Sequence, residues 1–141
     1  MPGQPRYILA IDPGREKCGV AVLDLNGGVV IKVVVGIGQI EHAISDLVEH
    51  HEPERIVVGN GTGSEEVIRL AEKLAPGKVS RIHEEGTTLE ARELAWRENP
   101  PGGLWRILPR LFWPTPRNLD AWAAVVIGRR ALKLSSDPSG R

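Results

Sequence analysis

The sequence is poor in cysteine, in net charge and in long hydrophobic runs. Its single cysteine, Cys18, cannot form a disulfide within the chain, which favours a reducing cytoplasm. The most apolar run, residues 29–40, is interrupted by Lys32 and Gly36 and is shorter than the ~20 residues that span a bilayer. Residues 1–6 lack the apolar stretch of a secretory signal. We therefore expect a soluble, cytoplasmic protein with no membrane partner.

The composition is that of a globular protein, with 41% hydrophobic and 26% charged residues. The 141 residues fit a single domain, 1–141, with a frayed tail from about residue 135. A net charge of zero gives no support for nucleic-acid binding, but the charge is uneven. Residues 86–141 hold nine Lys/Arg and five Asp/Glu (+4), and residues 1–85 hold nine and thirteen (−4). This asymmetry favours a surface that faces a polyanion, and chance clustering on a solvated face explains it equally well.

Hydrophobic periodicity predicts five strands and four helices. The predicted strands cover 7–11, 19–25, 29–35, 54–59 and 79–83. The predicted helices cover 39–50, the stretch between residues 63 and 76, 87 to 95 or 96, and 119–134. Residues 99–117 contain five prolines and are expected to be irregular.

This order of elements predicts an α/β fold. Three strands in a meander, followed by two right-handed strand-helix crossovers, make a five-stranded mixed sheet with helices on both faces. The order is that of the ribonuclease H fold. The first, fourth and fifth strands then lie side by side and parallel, so their carboxyl ends open at one edge, where ligands of such sheets tend to bind.

Three acidic residues fall where this edge would gather side chains. Asp12 ends the first strand, Glu84 follows the fifth, and Asp120 lies in the first turn of the last helix. An ordinary Asp-Pro-Gly turn explains Asp12 about as well as a functional role does. Glu84 and Glu85 precede a helix, whose dipole favours acids there, and solvated surface acids explain them equally well. Either of the two could be the functional residue.

Asp120 is the most informative of the three. On the predicted helix it shares a face with the apolar residues Ala124, Ile127 and Ala131, whereas basic residues lie on the opposite side. An unpaired carboxylate on a core-facing stripe is costly. Asp120 therefore either caps a local backbone group or faces a cation.

A cluster of three carboxylates predicts a site for a hard divalent cation. Without a compensating Lys or Arg, the carboxylates repel each other and some of their pKa values rise. Mg²⁺ or Mn²⁺ relieves that repulsion and suits carboxylate, water and phosphate ligands. Two such ions about 3.5–4 Å apart can support phosphodiester hydrolysis without a side-chain nucleophile.

Four segments together resemble the YqgF/RuvX family of Holliday-junction resolvases, also described as nucleases that mature the small-subunit ribosomal RNA precursor. Each motif is weak alone, but in this order they are fairly specific and touch nearly every predicted element. They are IDPGREKCGVAV at 11–22, VVG at 57–59, HEEGTTLEA at 83–91 and DAWAAVVI at 120–127.

The resemblance implies roles for individual residues. Asp12, Glu84 and Asp120 would be the metal-binding catalytic acids, and Lys17 would lie near the site and contact nucleic acid. The chain departs from the family where His83-Glu84-Glu85 replaces Asp-Glu-Arg. The related RuvC resolvases also carry a fourth acid just upstream of the final one, and residues 117–118 do not match it. These departures bear on substrate choice and on activity.

Residues 105–117 interleave aromatic and basic side chains. Stacking combined with phosphate contact grips single-stranded or distorted nucleic acid, which makes Arg106, Arg110, Trp113 and Arg117 candidate binding residues. An equally good interpretation is that the aromatic residues pin a proline-rich loop to the core.

These observations leave three functional hypotheses. The first is a two-metal-ion endonuclease that uses Mg²⁺ or Mn²⁺ on branched DNA or a ribosomal RNA precursor. The second is a non-catalytic module that associates with nucleic acid or the ribosome and retains the fold. The third, an ATPase of the sugar-kinase and actin type, shares the topology, but the chain is too short for its two-domain clamp. A homodimer would favour symmetric junction cleavage, and a monomer would favour RNA trimming.

Overall fold

The computed structural model describes residues 5–83, 87–116 and 118–136 of the chain. Within them lie five strands, four α-helices and three 3-10 turns. The strands are β1 Tyr7–Asp12, β2 Lys17–Asp24, β3 Val29–Gly36, β4 Arg55–Gly59 and β5 Val79–Ile82. The helices are α1 Ile40–His51, α2 Ser64–Leu74, α3 Thr87–Glu98 and α4 Leu119–Ser136, and the 3-10 turns are Ile37–Gln39, Gly103–Ile107 and Arg110–Phe112.

The strands form one mixed sheet in the order β3-β2-β1-β4-β5. Strand β2 pairs antiparallel with β1 and β3, whereas β1, β4 and β5 run parallel. This is the predicted ribonuclease H-like architecture, and the prediction is confirmed. Because the three parallel strands point the same way, their carboxyl ends lie along one edge of the sheet.

Side-chain alternation along β1 assigns its residues to the two faces of the sheet. Leu9 and Ile11 are fully buried in the core that α1 and α2 cover. Ile8 and Ala10 are fully buried on the other face, in the clusters that α4 contributes to. Each large side chain buried in this way stabilises the fold by about 1.5–3 kcal/mol. Asp12 continues the second series, so it belongs to the face that carries α4.

Helix α4 packs closely against the sheet, and its residues 121–128 are all buried. Glycines permit this approach. A Cβ at Gly59 would lie 2.7 Å from Ile127 Cδ1, and one at Gly19 would overlap the backbone oxygen of Asp120. None of the helices in the described part of the chain is long and apolar enough to cross a membrane.

The elements begin and end within a few residues of the predicted bounds. Strand β1 continues through Asp12, one residue past the predicted end, because Asp12 still pairs with Gly19 of β2. The proline-rich segment contains only short 3-10 turns, as its composition predicts. Helix α4 continues through Ser136, beyond the predicted start of the frayed tail, and residues 137–141 lie outside the described part.

Candidate metal centre

Asp12 occupies the carboxyl end of the central strand β1, with most of its surface shielded from water. Burial, and to a smaller extent the negative charge of Asp120, together raise the pKa of the Asp12 carboxyl from its ordinary value of 3.8 to about 6. An electrostatic effect of this kind requires the two carboxylates to be close in space. Residues 108 positions apart in the sequence therefore lie near each other at this edge of the sheet.

Asp120 reaches the site because α4 begins directly over β2. Gly19, the register partner of Asp12, is the residue on which the Asp120 backbone packs. The Asp120 side chain is 36% exposed, and its Oδ2 lies 3.7 Å from Nζ of Lys17. Lys17 thus lies near the site, as the resemblance implies. The first residue of β2 therefore brings an ammonium group to Asp120.

The third predicted acid, Glu84, and its alternative, Glu85, lie outside the described residues. The chain that leads to them is described as far as His83. There the Asn60 amide Nδ2 donates a hydrogen bond of 2.7 Å to His83 Nδ1. Because Asn60 follows β4 and His83 follows β5, this bond ties together the carboxyl ends of the two strands.

Sequence reasoning missed the Asn60–His83 pair. The available signal was the position of the two residues, since each comes directly after a parallel strand. The two strands are paired through Gly59 and Ile82, so the residues that follow them must be neighbours.

Cys18 also lies near the acid pair and is fully buried. Burial raises the pKa of its thiol, the charges of Asp12 and Asp120 raise it too, and a hydrogen bond with the Gly14 backbone opposes them. The thiol therefore stays protonated and adds no charge to the site.

The donor set fits a hard divalent cation. Asp12 and Asp120 supply carboxylate oxygens, the ligands that Mg²⁺ and Mn²⁺ prefer. A cation between them would also relieve the repulsion that raises the pKa of Asp12. Within residues 5–83, 87–116 and 118–136, no group of three or more His, Cys, Asp or Glu side chains could hold a metal ion. A complete ligand set would need a further oxygen ligand, and Glu84 is the predicted one.

The predicted nucleic-acid segment is partly fixed to the core. Trp113 packs edge-on against Trp96 of α3, with ring centroids 5.2 Å apart, and its Nε1 donates a 2.9 Å hydrogen bond to the Leu108 oxygen. Arg110 stacks on Trp113 at 5.4 Å and forms an ion pair with Glu93. For Trp113 and Arg110, the interpretation that the loop is pinned to the core is the one the contacts favour.

Other side chains of this segment face solvent. Trp105 is 43% exposed, Phe112 is 60% exposed, and Arg106 is exposed as well. Arg117 lies outside the described residues. Contacts with α3 therefore hold Arg110 and Trp113 in place, whereas Trp105, Arg106 and Phe112 are accessible to a partner.

Two solved structures share this architecture. RuvC of Thermus thermophilus superposes with a TM-score of 0.58 at 14% sequence identity, over 94% of this chain and 97% of that chain. T. thermophilus RuvC in complex with a Holliday junction substrate gives a TM-score of 0.57 at 15% identity, over 93% and 97%. At such low identity the likeness shows the fold, which is the ribonuclease H-like fold.

The family follows from the sequence. The family model described as the Tex protein YqgF-like domain matches residues 6–100. The chain belongs to this family, which confirms the predicted YqgF resemblance. The matched segment includes Asp12 and Glu84 and ends before Asp120. No protein among those with curated descriptions matches the sequence.

Proposed function

We propose that this protein is a divalent-metal-dependent endonuclease that hydrolyses phosphodiester bonds in structured nucleic acid. The observation that carries the proposal is the electrostatic coupling of Asp12 with Asp120 at the carboxyl edge of the sheet. Membership of the YqgF-like family and the RuvC fold support it. T. thermophilus RuvC has been solved with a Holliday junction substrate, and by analogy branched DNA is one candidate substrate here. A ribosomal RNA precursor is the other.

In such a site, the acidic residues would bind the metal. Asp12, Asp120 and Glu84 would hold the cation, or two cations. A bound Mg²⁺ or Mn²⁺ would supply the charge that activates water and stabilises the leaving oxygen. Asp12 must lose its proton before it can act as a ligand. With a pKa of about 6, its carboxyl is mostly ionised at pH 7–8 and mostly protonated below pH 5.

Positive side chains would hold the phosphates of the substrate. Lys17 lies beside Asp120 and is 64% exposed, so its ammonium can reach a phosphate at the site. Arg106 is exposed in the proline-rich segment. Contacts of this type position the nucleic acid without reading its sequence.

A cleavage screen tests the proposal. The purified protein is incubated with Mn²⁺ or Mg²⁺ at pH 8 and with a four-way junction, single-stranded DNA or precursor RNA. We expect metal-dependent cleavage of at least one structured substrate, and its loss in Asp12→Asn and in Asp120→Asn. The exposed acid Glu49, on α1, provides the matched control Glu49→Gln, which should cleave normally. Cleavage by either aspartate variant at the wild-type rate would refute the assignment.

A non-catalytic nucleic-acid or ribosome-associated module is the second candidate. The Lys17–Asp120 ion pair favours it, because an ammonium group 3.7 Å from one carboxylate offsets part of the charge that would hold a metal ion. The same screen separates the two functions. A module of this kind would bind nucleic acid without cleaving it, with or without Mn²⁺.

A further inference from the structure

A cavity of about 500 Å³ opens beside the N-terminal end of α4. It lies between the last turns of α3, the segment that leads into α4, and Lys32 of the edge strand β3. Its volume is within the range of about 300–1,000 Å³ that is typical of small-molecule sites. The side chains that decide its chemistry are Lys32, Trp96, Asn99, Thr115, Asn118 and Trp122.

The walls of the cavity combine fixed aromatic groups with exposed polar ones. Trp96 and Trp122 are both more than nine-tenths buried, so packing holds their rings in place. Nε1 of Trp96 donates a hydrogen bond of 3.2 Å to the Pro114 oxygen, which satisfies its only polar atom. Asn99 and Asn118 are exposed, so their amides can form hydrogen bonds with a ligand.

Lys32 contributes a positive charge to the lining of the cavity. Nζ of Lys32 lies 4.7 Å from the centroid of the Trp122 ring. This ammonium group places a positive charge where a phosphate could approach. The cavity therefore offers apolar aromatic walls, amide hydrogen bonds and one positive charge, which together suit a nucleotide.

The cavity is adjacent to the candidate metal centre. Asn118 is one of its walls and precedes Asp120 by two residues, so their Cα atoms are at most about 7.6 Å apart. A nucleic-acid strand bound at Asp120 would therefore pass close to the cavity.

We propose that this cavity receives one unstacked nucleobase of the nucleic-acid substrate, next to the bond that is cleaved. The inference rests on the proposed nuclease function and deepens it. Extrusion of a base costs the least where it is already unpaired, as at a bulge or in a single-stranded segment. The cavity would thus select structured substrates and would impose a base preference beside the cut.

An equilibrium binding assay without divalent cations tests this inference independently of cleavage. The probes are a fluorescent DNA duplex with a single-base bulge and the same duplex with an abasic bulge, which keeps every phosphate. We expect the wild-type protein to bind the base-containing bulge at least about fivefold more tightly, as a stacked base contributes. Asn118→Gly should reduce that ratio to about two or less and leave the affinity for the abasic duplex unchanged.

The variants are chosen to preserve the fold. Asn118 has a φ of 58°, and glycine adopts this left-handed conformation without strain. Thr115→Phe offers a second test, because it fills the cavity from an exposed position. Asn26→Gly, in the exposed turn between β2 and β3, is the matched control and should retain the wild-type ratio.

Each remaining outcome has a defined meaning. A wild-type ratio near one, with measurable binding of both duplexes, would overturn the nucleobase site and leave the nuclease proposal standing. A fivefold ratio that survives in both cavity variants would place the base elsewhere and overturn the inference as well. Failure to bind either duplex would overturn the nucleobase site, and the cleavage screen on junction and RNA substrates would then decide the nuclease proposal separately.

Discussion

Asp12→Asn should stabilise the protein in the absence of metal, although it removes a candidate catalytic residue. The folded state raises the pKa of the Asp12 carboxyl from 3.8 to about 6. Below pH 3.8 the carboxyl is protonated in both states, and folding is not penalised. As the pH rises from 3.8 to 6, the unfolded chain releases this proton more readily than the folded protein does, so the free energy of unfolding falls. Above about pH 6 the carboxyl is ionised in both states and the full cost is present.

The magnitude follows from the size of that rise. At about 1.36 kcal/mol per pKa unit, the rise in the pKa of Asp12 lowers the free energy of unfolding by roughly 3 kcal/mol as an upper value. Because the Asp12 side chain is not fully buried, we expect about 1–3 kcal/mol at pH 8. Near pH 4, most of the difference between wild type and variant should vanish.

Urea unfolding with a chelator present measures this difference. The free energy of unfolding is compared at pH 8 and pH 4 for wild type, Asp12→Asn and the exposed control Glu49→Gln. The control should stay within about 0.5 kcal/mol of wild type at both pH values. If Asp12→Asn were destabilised by more than 1 kcal/mol at pH 8, or shifted equally at both pH values, the electrostatic account of Asp12 would be refuted.

Three further predictions concern the site and its surroundings. Gly19→Ala should destabilise the protein by roughly 2–4 kcal/mol in urea unfolding, because its Cβ would overlap a backbone oxygen of α4. Gly36→Ala is the control and should be nearly neutral, because nothing lies within 4 Å of a Cβ at that position. Lys17→Met should change stability by less than about 1 kcal/mol, because the ion pair is exposed, yet it should tighten Mn²⁺ binding in a calorimetric titration by removing a positive charge. Arg106→Ala should weaken nucleic-acid binding and lower its salt dependence by about one ion, whereas Trp113→Ala should mainly reduce the free energy of unfolding, by about 2–4 kcal/mol. An unchanged salt slope for Arg106→Ala would exclude a phosphate contact.

The fold could be predicted because its signals are local. The apolar runs that become β1 and β4 and the glycine-containing turn after β2 specify strands, and a meander followed by two crossovers has few alternatives. The position of Asp120 on the core-facing side of its helix could also be predicted, because its neighbours at helical spacing are apolar. Residues 124, 127 and 131 are all buried, as that pattern predicts.

The electrostatics of the site could not be predicted to the same extent. Lys17 lies at the start of β2, and nothing in its local sequence indicates that its ammonium pairs with a carboxylate 103 residues away. The contact depends on how closely α4 approaches β2, which Gly19 permits. The functions of Trp113 and Arg110 were ambiguous for the same reason, since their partners on α3 are set by tertiary packing.

The central claim is that Asp12 and Asp120 together bind a divalent cation, and a Mn²⁺ titration followed by electron paramagnetic resonance tests it directly. At pH 8 we expect the wild-type protein and Glu49→Gln to bind Mn²⁺ with the same affinity. Asp12→Asn and Asp120→Asn should each weaken binding by at least about tenfold, and wild-type binding should weaken as the pH falls below 6. Equal affinity in wild type and both aspartate variants would contradict the account.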